Sequence, residues 1–280
     1  MTALLSVNGV TKQFRGLLAV DSVTFDVAGG EIFAVIGPNG AGKTTLFNMV
    51  AGILAPTSGS ITFAGERIES LAPDKICRRG IGRTFQIVRP FPALTVEDNV
   101  IIGALLHRHD VDDAREHARD VLRRLDLYVK RNQTASSLTL PDRKRLELAR
   151  ALATGPKLLL LDEVMAGLRP MEVDVVVATL RELNRETGLT ILLIEHVMRA
   201  VMALAARVLV LHHGAAIAEG TPDAVVRNPA VIDSYLGAEA VGEHTGEVAL
   251  DPAAGDVREC VRTVAQAADV VEVQPRRREQ

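Results

Sequence analysis

Apolar residues along this chain fall into two rhythms. In some stretches they recur at every second position, in others at every third or fourth. Residues 4–12 and 19–27 carry Val7 and Val10, then Val20, Val23, Phe25 and Val27. That alternation predicts two strands of an antiparallel flap. Ile32-Phe33-Ala34-Val35-Ile36 is apolar without a break, as a parallel strand covered on both faces requires. The same signature returns in Leu158-Leu159-Leu160-Leu161, which closes on Asp162-Glu163, and in residues 190–194, which close on Glu195-His196. Shorter strands are predicted over 60–63 and 81–86, the second ending on Gln86, with a short helix from Pro73 between them. Arg89-Pro90-Phe91-Pro92 predicts a mobile connection.

From residue 95 to 153 the rhythm is helical. Thr95 can cap a helix over 96–106, with Asp98 near its positive end. Asp112 opens a second, whose inner face holds Ala114, Ala118, Val121, Leu122 and Leu125. Pro141 begins a third, with Leu146, Ala149, Leu152 and Ala153 buried. The core then resumes with a helix over 171–185 ended by Gly188, a hairpin of 207–211 and 216–219, and short helices from Pro222 and Pro229. The expected fold is therefore α/β: a parallel sheet core, an N-terminal antiparallel β flap, and a helical subdomain of about residues 95–155 inserted into the core. One domain is expected over 4–237. Residues 238–256 read as a linker. Within the remaining C-terminal extension, apolar positions 257, 261, 264, 268 and 271 predict a short amphipathic helix that docks on the body or a partner, or frays.

Composition narrows the function. The chain has 280 residues and a net charge of −3, so no global basic field points to nucleic acid. Trp is absent and Tyr occurs twice, which argues against stacking on bases. Cys77 and Cys260 have no metal-ligand spacing and read as reduced thiols. No basic-then-apolar leader opens the sequence, and no run of about 18 apolar residues suggests a membrane span. Any role at a membrane is expected to come through partners.

The chemistry centres on Gly37-Pro38-Asn39-Gly40-Ala41-Gly42-Lys43-Thr44-Thr45. This is the P-loop (Walker A) pattern G-x-x-x-x-G-K-[ST], set between a buried strand and a helix. Loop N–H groups and the helix's positive end would converge on one phosphate group. Lys43 would reach the β- and γ-phosphates of ATP and Thr44 would hold Mg²⁺. Asp162 is the expected carboxylate of the metal site, binding the ion directly or from its second sphere, and Glu163 the base for an attacking water. His196, past a strand expected to lie beside that of Asp162, can reach the γ-phosphate or serve the core. Gln86 gains weight only as part of the set. Phe14, before the P-loop, either stacks on a base or packs in its own loop.

The order of these parts resembles the nucleotide-binding subunit of ABC transporters: P-loop, glutamine, helical insert, Leu-Leu-Leu-Leu-Asp-Glu, histidine. The resemblance covers residues 4–237. Arg83-Thr84-Phe85-Gln86, the run Leu94-Thr95-Val96-Glu97-Asp98-Asn99-Val100, Ala166-Gly167-Leu168 and Val231-Ile232-Asp233-Ser234-Tyr235-Leu236-Gly237 are similar to the branched-chain amino acid importers. It implies a RecA-like P-loop ATPase acting as a dimer that sandwiches two ATP molecules, each between one chain's P-loop and the other's signature segment. It also implies two transmembrane permease subunits, an extracytoplasmic substrate-binding protein, and a place on the cytoplasmic face of the cell membrane. Phe14 would stack on adenine, Gln86 would join the metal site and link it to the permeases, and His196 would stabilise the transition state.

The sequence departs from that family at its signature, Leu-Ser-Gly-Gly-Gln. Here stand Leu138, Thr139, Leu140, Pro141 and Asp142. Thr139 keeps a hydroxyl, but both glycines are gone, Pro141 has no N–H to give, and Asp142 brings negative charge toward a polyanion. Val164 replaces the usual proline after Asp-Glu, and Arg169 stands where the subgroup has Asn. The expectation is a heterodimer with a second ATPase subunit, in which one site is competent and one degenerate. A slow ATP-driven switch, or a motor for another cargo such as urea or a lipid, is the alternative.

Overall fold

The computed structural model describes residues 3–86 and 90–242, with residues 236–242 described by backbone alone. The expected tail helix, the Arg276-Arg277-Arg278 end, Cys260 and Arg89 lie outside the described residues. The chain opens with β1 (Ala3–Phe14) and β2 (Leu17–Ala28), which pair antiparallel. β4 (Ser58–Phe63) pairs with β1, and β5 (Glu66–Arg67) closes a four-stranded sheet in the order β2-β1-β4-β5. This is the flap that the alternating N-terminal pattern predicts.

The second sheet has six strands in the order β10-β9-β3-β8-β7-β6. They are β3 (Ile32–Ile36), β6 (Ile81–Arg83), β7 (Leu158–Asp162), β8 (Thr190–Ile194), β9 (Arg207–His212) and β10 (Ala215–Gly220). All neighbouring pairs are parallel except the edge hairpin of β9 and β10. The unbroken apolar runs follow from this placement. Phe33 and Val35 of β3 face the flap and α1 (Lys43–Val50), while Ile32, Ala34 and Ile36 face the opposite core. Leu158 and Leu160 likewise face the flap, and Leu159 and Leu161 the other side. A strand with two dry faces has no position for a polar side chain until it ends.

α2 (Pro73–Arg78) precedes β6. Three helices stand between β6 and β7: α3 (Val96–Ala104), α4 (Val111–Arg124) and α5 (Leu140–Ala153). Thr95 caps α3 by accepting the Asp98 N–H. Asp110, rather than Asp112, caps α4, since its carboxylate accepts from Asp112 N and Asp113 N. The inner faces of these helices share one continuous apolar core with the sheet and with α6 (Pro170–Thr187) and α7 (Met198–Leu204). α8 (Pro222–Val226) and α9 (Pro229–Gly242) follow the edge hairpin. α9 runs on past the predicted boundary at residue 237, because its helical hydrogen bonds need no apolar periodicity to continue. β6 also ends at Arg83, short of the predicted Gln86. Thr84 N still bonds Leu160 O at 2.9 Å, but Phe85 turns out to solvent and the ladder stops.

Candidate functional site

The P-loop leaves β3 at Gly37 and enters α1 at Gly42. Three of its residues, Gly37, Gly40 and Gly42, hold positive φ of 148°, 79° and 98°. Two of these glycines are forced by crowding as well as by φ. A Cβ on Gly37 would lie 2.1 Å from Leu211 O, and one on Gly42 would lie 2.3 Å from Ala19 O. Lys43, almost fully buried, donates from Nζ to Gly37 O at 2.7 Å and Pro38 O at 2.9 Å. Burial pushes its amine down to about 8, against the pull of Glu163 and Asp162. Its ammonium thus sits on the loop's own carbonyls, ready to exchange them for phosphate oxygens.

An open cleft of about 420 Å³ lies over the loop. Asn39, Gly40, Ala41, Gly42, Lys43, Thr44 and Thr45 form its floor. Phe14, with Leu17 and Leu18, forms one wall, and Gln86 and Glu163 close the far end. Phe14 is 40% exposed, and the Lys12 ammonium lies over its ring, 5.2 Å from the centroid. Gly37, Pro38 and Asp162 are not among the residues that line it.

Asp162 ends β7 almost fully buried. Arg83 Nη2 donates to its Oδ2 at 3.0 Å, while Oδ1 has no hydrogen-bond partner. Arg83 is fixed in turn by Asn48 of α1, through Nη1 at 2.7 Å. Burial raises the Asp162 carboxyl above the ordinary aspartate range, and the Arg83 guanidinium opposes that. A buried carboxylate oxygen without a donor is costly unless a cation serves it. With the exposed hydroxyl of Thr44 it gives an all-oxygen set, which suits Mg²⁺. Among the described residues no group of three His, Cys, Asp or Glu side chains surrounds a metal position.

Glu163 follows with φ of +50°, an unusual conformation for a residue with a side chain. Its Oε1 lies 2.8 Å from His196 Nε2, and its Oε2 accepts from Gln86 Nε2 at 2.6 Å. The His196 bond, set against burial, holds the Glu163 carboxyl below the ordinary glutamate range. The lowered range favours the charged carboxylate. β8 lies beside β7 in parallel register, Asp162 opposite Ile194, which is what brings His196 to Glu163. The structure thus brings Lys43, Thr44, Gln86 and Glu163 to one cleft, with His196 bonded to Glu163 and Asp162 beside it in sequence. Gln86 spends its amide N–H on Glu163 in this arrangement.

Leu138, Thr139, Leu140, Pro141 and Asp142 do not line that cleft. They form the start of α5, which begins at Leu140, one residue before the predicted Pro141. Thr139 is the cap, and its hydroxyl donates to Asp142 Oδ2 at 2.7 Å. Asp142 is buried and paired with Lys130 and, at 3.9 Å, with Arg145. Burial works against its ionisation, but the bonds from Lys130 and Thr139 outweigh it and keep the carboxyl below its usual range. Its charge is consequently spent inside the chain rather than directed outward. Leu140 is 48% exposed and forms the outer surface of this end. Arg169 folds onto Glu172, both bonded across the first turn of α6.

Sequence reasoning overlooked three contributors. The first is Arg83, a buried guanidinium on Asp162, and the second is His213, which lines the cleft from the turn after β9. The third is Glu195, buried at the end of β8, where a charge closing an apolar strand is itself a signal.

The chain matches the family model described as ABC transporter over residues 20–166, and that described as branched-chain amino acid ATP-binding cassette transporter over 217–241. It is 40% identical over 249 residues to the high-affinity branched-chain amino acid transport ATP-binding protein BraF of Pseudomonas aeruginosa, across 84% of this chain and 98% of that protein. LivG of Escherichia coli, with the same description, is 41% identical over 249 residues, with the same coverage of 84% and 98%. Among solved structures, the ADP conformation of MJ1267, an ATP-binding cassette of an ABC transporter, superposes with a TM-score of 0.77 at 30% identity. That superposition takes in 85% of this chain and 100% of the other.

Proposed function

Because the chain belongs to the ABC transporter family, as an ATP-binding cassette with ATPase activity, we propose that it drives an importer of branched-chain or related amino acids. The similarity to BraF and LivG supports the cargo, together with the family match at the C-terminal end of the described chain. In this reading the chain sits at the cytoplasmic face of the membrane. It works with two permease subunits, an extracytoplasmic binding protein and a second cassette. No described helix is long and apolar enough to cross a membrane, so its attachment is through those subunits.

ATP enters the cleft with its phosphates on the loop N–H groups and its base against Phe14. Lys43 leaves the carbonyls of Gly37 and Pro38 for the β- and γ-phosphates. Thr44 and the free Oδ1 of Asp162 would hold Mg²⁺, which would neutralise phosphate charge there. Glu163 takes a proton from the attacking water as its oxygen bonds to the γ-phosphorus and the bond to the bridging oxygen breaks, leaving ADP and phosphate. One of its two present partners, Gln86 or His196, must swing away to admit that water. The single observation that carries the reading is this charged Glu163, lining a P-loop cleft beside a buried carboxylate.

The start of α5 supports an asymmetric pairing. Its threonine hydroxyl is engaged by Asp142, residue 141 is a proline without N–H, and Leu140 covers the end. Such an end offers a partner's γ-phosphate little, so a homodimer would have two weak sites. A partner with an intact signature would complete this chain's own site. Turnover of the purified chain alone and of the assembled transporter tests this: robust activity of the chain alone refutes the asymmetry. Stimulation of the assembled transporter by a binding protein loaded with leucine, isoleucine or valine tests the cargo. A slow ATP switch is the second reading, favoured by the same blocked helix start. It predicts tight ATP binding and no stimulated turnover in the complex.

A further inference from the structure

Two buried charges beside the hydrolytic end take no part in the chemistry above. Lys144 lies one turn into α5 and is 9% exposed. Its Nζ donates to Glu163 O at 3.1 Å. Glu195, the last residue before His196, is 1% exposed, and its Oε1 accepts Met165 N at 2.9 Å. Burial lowers the Lys144 amine against the pull of Glu195 and Glu163, and raises the Glu195 carboxyl to about 7 against the bond from Met165 N–H. Burying an ionisable side chain is costly unless its hydrogen bonds are met. What the charges add is one donor and one acceptor, placed on the backbone that follows Asp162.

That backbone needs holding. Glu163 sits at φ +50°, a conformation that persists in a residue with a Cβ only where its surroundings dictate it. Its N–H is fixed by Ile194 O at 3.0 Å, and its carbonyl by Ala166 N and Lys144. Two residues on, Glu195 fixes Met165. α5 reaches the same segment a second time, for a Cβ on Gly167 would come within 3.6 Å of Leu140 Cδ2.

We propose that Lys144 and Glu195 are positioning residues for ATP hydrolysis: they set the backbone that aims Glu163 and tie it to α5. A displacement of the α5 start, the end facing a second cassette in this reading, is then transmitted to Glu163 through one ammonium–carbonyl bond. The inference rests on Glu163 being the base.

The test is steady-state hydrolysis by the assembled transporter carrying Lys144→Met, Lys144→Arg or Glu195→Gln, with binding of a non-hydrolysable ATP analogue measured in parallel. Lys144→Met is expected to lower kcat about ten-fold or more, with KM and analogue affinity within about two-fold of the parent. Lys144→Arg, which restores a donor to Glu163 O, should recover to within about three-fold. Glu195→Gln keeps the shape and an acceptor, folds where Lys144→Met does not, and should lower kcat about three-fold at unchanged KM. Unchanged kcat in both Lys144→Met and Glu195→Gln overturns the proposal. So does a parallel loss of kcat, analogue binding and thermal stability that Lys144→Arg fails to reverse. Glu163→Gln separates the premise from the inference: if it keeps full turnover, the assignment of the base fails, and the pair's role falls with it.

Discussion

Removing the guanidinium of Arg83 isolates a charge. Arg83 and Asp162 form a pair whose side chains are 9% and 2% exposed, and Asp162 Oδ1 has no other partner. Arg83→Met keeps most of the volume but leaves the carboxylate buried and alone. Breaking a buried pair from one side costs about 3–5 kcal/mol. Asp162 can escape part of that by taking a proton, so about 3 kcal/mol is expected near pH 8. For a domain of this size that is a Tm loss of about 6–12 °C. The double variant Arg83→Met/Asp162→Asn has no stranded charge and should lose only about 1 kcal/mol, about 2 kcal/mol less than Arg83→Met alone. The deficit also has a pH sign. With Arg83 gone, the folded Asp162 carboxyl rises further above its unfolded value. The folded state then binds a proton that the unfolded state releases, so the deficit of Arg83→Met shrinks as pH falls through that raised value. Thermal unfolding of the parent, both single variants and the double, at pH 8 and pH 5.5 (about 2.5 pH units apart), reads all of this. A double variant as unstable as Arg83→Met, or a deficit that grows toward acid, would refute the reasoning.

Other outcomes follow from the same geometry. Glu163→Gln should cut hydrolysis about 100-fold or more while leaving ATP affinity intact, as single-turnover and binding assays will show. Because the His196 bond holds Glu163 below the ordinary glutamate range, kcat should stay level through neutrality and fall only when pH drops into that lowered range. Gly37→Ala places its Cβ 2.1 Å from Leu211 O, so a fluorescent ATP analogue should bind far more weakly even where the fold survives. Thr139→Ala removes the α5 cap and should cost about 1 kcal/mol in chemical denaturation. In the assembled transporter it should leave turnover nearly unchanged, since that hydroxyl is engaged by Asp142.

Much of the site was legible because its chemistry is local. The spacing of Gly37, Gly42 and Lys43, between an apolar strand and a helix, needs no distant residue to be read. Asp162 and Glu163 stood out because a carboxylate pair ends four leucines. Arg83 could not be assigned to Asp162, from which it is separated by 79 positions, because β6 and β7 become neighbours only in the sheet. The inward turn of Asp142 was likewise hidden. From sequence it is an acid at a helix start, and only Lys130, 12 positions earlier, shows that its charge is neutralised.

Residue order by itself determined which segments are strands with two dry faces, where the phosphate loop stands and which signature residues are missing. Those are statements about neighbours within one turn or one strand, where covalent spacing fixes geometry. Strand order, the β8–β7 register that brings His196 to Glu163, and the Arg83 and Lys144 struts were decided only by tertiary packing. They depend on which apolar faces cover one another, and that choice minimises exposed surface over the whole chain rather than within any one segment.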